Sequence, residues 1–107
     1  MPEGSQELRT GCRRGDVAAL DALLYGCADG LYAMALTAMS YEQAAQECVR
    51  ETWRRMLSAL QRRRFDRSPR GQARRTMFGV LTERVGGEAA RASERTALRE
   101  DGTLGLD

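Results

Sequence analysis

Apolar residues recur along the first third of the chain at Val17, Leu20, Leu24, Cys27, Leu31, Met34 and Ala38, in alternating steps of three and four. Such spacing keeps all of them on one side of a 3.6-residue helix, so it predicts a helix with a single buried stripe. Asp16 stands just ahead of the stripe, where a carboxylate can accept from the first free N–H groups. Gly26 and Gly30 fall in the middle, each weaker than alanine in a helix by about 1 kcal/mol. The pattern therefore predicts one long helix or two collinear ones, with a break or kink near residues 26 to 30.

A second stripe runs through Ala45, Val49, Thr52/Trp53, Met56 and Leu60. Ser40 followed three residues later by Gln43 has the form of a capping box, so a helix is predicted from about 41 to 63. Its end, Arg62-Arg63-Arg64, places cations where a helix C-terminus favours them. After a loop, Ser68-Pro69 reads as a cap and a first helical position for proline. Ala73, Met77, Val80/Leu81 and Val85 continue as a third stripe, and Gly86-Gly87 is a stop signal.

Residues 88–101 are compatible with a short polar helix, and the last six residues, Gly-Thr-Leu-Gly-Leu-Asp, read as disordered. No segment alternates with the period of a strand. The expected fold class is all-α, a small bundle of three to four helices. The expected organisation is a flexible N-terminus over 1–13, a helical domain over 14–87, and the polar helix with its tail over 88–107.

Composition narrows the function. A chain of 107 residues, 42% hydrophobic and 30% charged, suits one soluble folded domain. There is no run of 18 apolar residues and no basic, apolar leader at the start, so a cytoplasmic protein without a membrane partner is expected. Cys12, Cys27 and Cys48 are odd in number, widely spaced and unaccompanied by any histidine. Buried reduced thiols are expected rather than a zinc site. The lack of histidine also removes the commonest general base and every Ser-His or Cys-His nucleophile, so neither an enzyme nor a cofactor is expected.

The formal net charge of +2 conceals a strong asymmetry, carried entirely by arginine on the basic side. Residues 1–49 hold three arginines and seven acids; residues 50–75 hold ten arginines and two acids; residues 76–107 hold four arginines and six acids. A segment of net charge +8 between two acidic ones is the kind of footprint a polyanion recognises. An arginine-rich solvated surface answering acids elsewhere on the domain accounts for it equally well.

The order of residues in Ala45-Gln46-Glu47-Cys48-Val49-Arg50-Glu51-Thr52-Trp53 resembles a segment of extracytoplasmic-function sigma factors, which reads approximately Ala-Glu-Asp-Leu-Val-Gln-Glu-Thr-Phe. Upstream, Gly15-Asp16, Ala19-Leu20, Leu24-Tyr25, Leu31-Tyr32 and Ala35 are similar to that family's opening helix. Downstream, Phe65-Asp66 and Gly71-Gln72-Ala73-Arg74 are similar to the loop and start of its DNA-facing helix. The likeness covers about residues 14 to 85. A complete member has a second helical domain with a helix-turn-helix, whereas 20 residues follow Gly87 here.

The resemblance implies the second region of a sigma factor, a helical domain that docks on the clamp helices of the largest subunit of RNA polymerase. It also implies contact with promoter DNA near the minus-ten element, including flipped, single-stranded bases. Gln46, Glu47, Arg50, Glu51 and Arg54 would then face polymerase. Arg62, Arg63, Arg64, Arg67, Arg70, Arg74 and Arg75 would lie toward DNA. On a helix, Glu47, Arg50, Glu51 and Arg54 share one face, while Val49, Trp53, Met56 and Leu60 are expected to turn inward.

Four of the departures from the family pattern fall at functional positions. Glu47 and Arg50 replace an aspartate and a glutamine in the docking segment, and Thr76 and Glu83 stand where the last helix usually carries a tryptophan and an asparagine. Opening DNA needs surfaces that hold unstacked bases, so the latter two argue against efficient melting. The alternative expectation is a sigma-like regulatory protein that binds polymerase, a sigma partner or an anti-sigma protein without opening DNA.

Overall fold

The computed structural model describes residues 10–12, 14–62 and 68–101. Four long helices follow one another: α1 (Val17–Met39), α2 (Glu42–Gln61), α3 (Pro69–Val85) and α4 (Gly87–Asp101), with a helical turn at Thr10, Gly11 and Cys12 ahead of them. Among the described residues there is no strand, and the protein is an all-α bundle. The expected tail, residues 102–107, lies outside the described residues, as do residues 1–9.

Helix α1 is the centre of the bundle, packed against each of the other three. Leu20, Leu23, Leu24, Cys27, Leu31 and Met34 are buried along it. Complete burial of a leucine or methionine side chain contributes roughly 1.5–3 kcal/mol. That burial outweighs the weak propensity of Gly26 and Gly30, so of the two expectations the single long helix holds, and α1 runs unbroken for 23 residues. By length and composition α1 is apolar enough to cross a membrane, yet those apolar side chains form the bundle core. Val17, expected in the stripe, is half exposed at the start of the helix.

The start of α1 is capped as expected, with Asp16 Oδ1 accepting from the Ala18 N–H at 3.0 Å. Packing begins earlier than residue 14, because Cys12 is fully buried in the core. The turn is pulled tight by the Asp16 N–H donating to the Gly11 carbonyl at 2.9 Å. A Cβ on Gly11 would come within 2.5 Å of the Ala19 Cβ, and Gly15 adopts a left-handed φ of 81°. Both positions thus favour glycine, which alone makes such approaches and angles without strain.

The capping box at Ser40 and Gln43 does not form. Ser40 instead ends α1, in a left-handed conformation with φ of 70°, its N–H donating to the Leu36 carbonyl at 2.8 Å. Tyr41 becomes the N-cap of α2 and offers no side-chain hydrogen bond. At the other end α2 stops at Gln61, two residues short of expectation, with Arg62 as its C-cap. Ser68 caps α3, accepting from the Gly71 N–H at 3.0 Å, and Pro69 opens the helix. Gly86, at φ of 94°, ends α3, whereas Gly87 already begins α4.

Candidate partner-docking surface

Helix α2 sorts its residues sharply. Ala44, Ala45, Cys48, Thr52, Met56 and Leu60 face the core, and Gln46, Arg50 and Arg54 face solvent. Glu47 is half buried at the edge of that outer face. Two neighbouring positions, Thr52 and Trp53, competed for the core, and threonine occupies it. The Thr52 hydroxyl is satisfied inside the helix by donating to the Cys48 carbonyl at 2.9 Å, and it lies 3.6 Å from Met77 Sδ. Ser and Thr hydroxyls can be buried in helices through such a bond to the preceding turn. Trp53, expected inward, is 38% exposed, and Val49 is half buried beside it.

The displaced tryptophan edges an apolar groove of about 690 Å³ between α1 and α2. The buried Leu24 and Leu31 lie deepest among its lining residues, with Ala18, Ala22, Ala28, Tyr25 and Asp21 along its α1 side. A second groove of about 530 Å³ beside Trp53 is bordered by Arg50, Arg54 and Leu57. Tyr25, 89% exposed, and the alanines beside it escaped the sequence reading. The steps of three and four from Ala18 through Ala22 and Tyr25 to Ala28 could have shown them, because they define a second small-residue face on α1.

Glu51 belongs to a different arrangement. Its carboxylate turns toward Arg54 and Arg55, accepting from Arg55 Nε at 3.0 Å, and is largely covered. Arg55 then reaches α3, where Nη1 and Nη2 donate to the two carboxylate oxygens of Glu83 at 2.9 and 2.6 Å. Paired guanidinium–carboxylate bonds of this kind are directional as well as strong. The Arg55 hydrogen bond holds the Glu83 carboxyl below the usual carboxylate range. Glu83, which stands at an asparagine position of the resembled family, is here the α3 end of a clasp onto α2. Thr76, at the tryptophan position, is half buried and donates to the Gln72 carbonyl at 2.7 Å.

The four described arginines among those expected toward DNA differ in their surroundings. Arg62 and Arg75 are exposed. Arg70 is half buried and folds back over α1, where its guanidinium lies 3.6 Å from the position a Cβ on Gly26 would take. Arg74 is also half buried, its Nε 3.5 Å from Glu94 Oε2 of α4, within ion-pair range but without a hydrogen bond. Arg63, Arg64 and Arg67 lie outside the described residues. Packing against α1 and α4 therefore claims two of the four described members of the group.

All three cysteines are free and buried. Burial pushes the Cys27 thiol up to about 11, with the nearby Arg70 charge offsetting only part of that shift. Thiols so placed are protonated at neutral pH and behave as core hydrophobes. No cluster of three or more potential metal ligands exists among the described residues. The chemistry available is that of surface complementarity: an apolar groove, an exposed tryptophan and tyrosine, and rims of opposite charge.

No protein-family model, curated protein or solved structure matches this chain.

Proposed function

We propose that this protein is a sigma-factor-like docking domain of bacterial transcription initiation, acting in the cytoplasm, with the outer face of α2 as its contact to the clamp helices of RNA polymerase. The observation that carries the reading is the exposure of Gln46, Arg50 and Arg54 in a row beside Trp53 and its grooves. Glu47 borders the same row. Mixed charges around an apolar anchor suit a charged helical partner, with the charges governing orientation and on-rate and the aromatic residue most of the affinity. Glu51 is better understood as a positioning residue that orients Arg54 and Arg55.

Promoter DNA near the minus-ten element is the second contact of this reading, through Arg62 and Arg75, with Arg63, Arg64 and Arg67 between them in sequence. One observation favours the alternative, a regulator that binds polymerase, a sigma partner or an anti-sigma protein without opening DNA. The large hydrophobic residues that stand exposed among the described residues are Val17, Tyr25, Tyr41 and Trp53, all on α1, α2 or their junction. Helix α3 has no such platform, and single-stranded bases are held largely by stacking.

Purified core polymerase should be retained by the immobilised chain, and Arg50→Glu with Arg54→Glu should abolish retention. Retention unchanged by both substitutions would refute docking through α2. A salt series with single-stranded promoter-like DNA separates the two readings. Binding that falls steeply with salt supports the initiation role, because neutralised phosphates release counterions; absence of binding leaves the regulatory role.

A further inference from the structure

On its α1 side the α1–α2 face carries features beyond the α2 row assigned to polymerase. Tyr25 leaves 89% of its surface in water, and directly beside it lies a groove over the buried Leu24 and Leu31, with Ala18, Ala22 and Ala28 along its α1 side. A large amphipathic knob thus adjoins an apolar hollow kept open by small side chains on α1. Helix α1 contains two acids, Asp21 and Asp29, both exposed, and no basic residue at all. Across the groove, the outer face of α2 offers Arg50 and Arg54. Asp21 and Arg50 make no ion pair among the described residues.

We propose that a second copy of this chain docks on the α1–α2 face through a two-fold axis passing over the groove. A face with one acidic half and one basic half is complementary to itself under that rotation: α1 of each copy lies over α2 of the other. Asp21 of each copy then meets Arg50 and Arg54 of the other, and the contact is made twice, as two-fold symmetry requires of an isologous interface. Each Tyr25 enters the apolar groove opposite, next to Trp53. Arg54 already holds Glu51, but its side chain is 74% exposed and keeps donors free for a new carboxylate.

The dimensions suit such a contact. A helix of 20 residues is about 30 Å long and packed helices lie about 10 Å apart, so two of them present enough surface for roughly 800 Å² per copy. A helix from another protein would need a separately matched charge pattern, whereas the second copy supplies it from the sequence already present. The proposal goes beyond polymerase docking and stands without it. Where both hold, Arg50 and Arg54 belong to both surfaces, so the dimer hides the docking face.

Sedimentation equilibrium of the full chain over a concentration series tests this with no other component present. The expected result is a monomer–dimer equilibrium whose dissociation constant rises about tenfold or more with Tyr25→Asp. Asp21→Arg and Arg50→Glu should each weaken the dimer, and the two combined in one chain should recover part of the loss, because position 21 then faces an acid at position 50 while Arg54 keeps its charge. Thermal unfolding followed by circular dichroism should be nearly unchanged in all of these surface variants, which separates lost association from lost fold. A wild-type chain that stays monomeric throughout overturns the proposal, and so does a dimer indifferent to Tyr25→Asp. A double exchange that associates no more tightly than either single variant overturns the two-fold arrangement.

Discussion

The two sides of α2 are finished in different ways. Toward α3 the seam is closed: Met56 and Met77 are fully buried, Thr52 and Thr76 contribute hydroxyls to the same layer, and Arg55 locks Glu51 and Glu83 over it. Toward α1 both helices contribute to the common core, Cys48 from α2 and Leu20 and Leu24 from α1, but the outer rim stays open as a groove with Trp53 and Tyr25 beside it. The same helix thus uses Glu51 and Arg55 to close one seam and leaves apolar surface uncovered at the other.

The largest test of this contrast is Met77→Ala at the closed seam. Removing a fully buried methionine should cost about 2–5 kcal/mol, read as a lower midpoint in urea. A loss close to zero would mean the seam is not the packed side. Gly26→Ala, on the exposed part of α1, should act the other way and stabilise by about 1 kcal/mol, since a Cβ there meets only the Arg70 guanidinium at ordinary contact distance. A destabilisation would show that α1 needs the glycine after all. Tyr25→Ala at the open rim should change stability by no more than about 0.5 kcal/mol, as expected of an exposed site.

Acid probes the clasp itself. The folded-state pKa of Glu83 is depressed, so its contribution is present above the usual carboxylate value and is lost as pH falls through the lower folded value. Urea midpoints of the wild type and Glu83→Gln should therefore differ at neutral pH and converge as pH drops below about 4. Curves that stay parallel would show that Arg55 gains nothing from the ionised partner.

Much of this architecture was legible in the sequence because it follows from helical periodicity. Asp16, Ser68 and Pro69 do what their chemistry and position suggest, and the buried stripe of α1 coincides with its three-and-four spacing from Leu20 to Met34. Legibility failed where neighbouring residues competed for one role. Ser40 could cap α2 or terminate α1, and the tight reversal between the helices decides for termination. Thr52 and Trp53 could each face inward, and the smaller side chain fits between α2 and α3 while the larger does not.

The outer row of α2 was partly legible for a similar reason. Arg50 and Arg54 are exposed as spacing predicts, Gln46 follows only from the family resemblance, and Glu51 sits on the same arc but is drawn off by two arginines at once. The basic segment was the least legible, since charge counts do not reveal that Arg70 folds over α1 or that Arg74 reaches Glu94. Pairing across helices depends on the bundle, which a linear tally of charge does not contain.

The two-residue connection at Ser40 and Tyr41 has a kinetic consequence. It joins the longest two helices as a hairpin, so their mutual contacts close the shortest loop of any helix pairing made by α1. Short loops form early, because little chain entropy is lost in closing them. The α1–α2 hairpin is thus the natural folding nucleus, and α4, whose contacts with α1 span much of the chain, should join late. The face with the exposed tyrosine and tryptophan is assembled before the rest of the bundle has closed behind it.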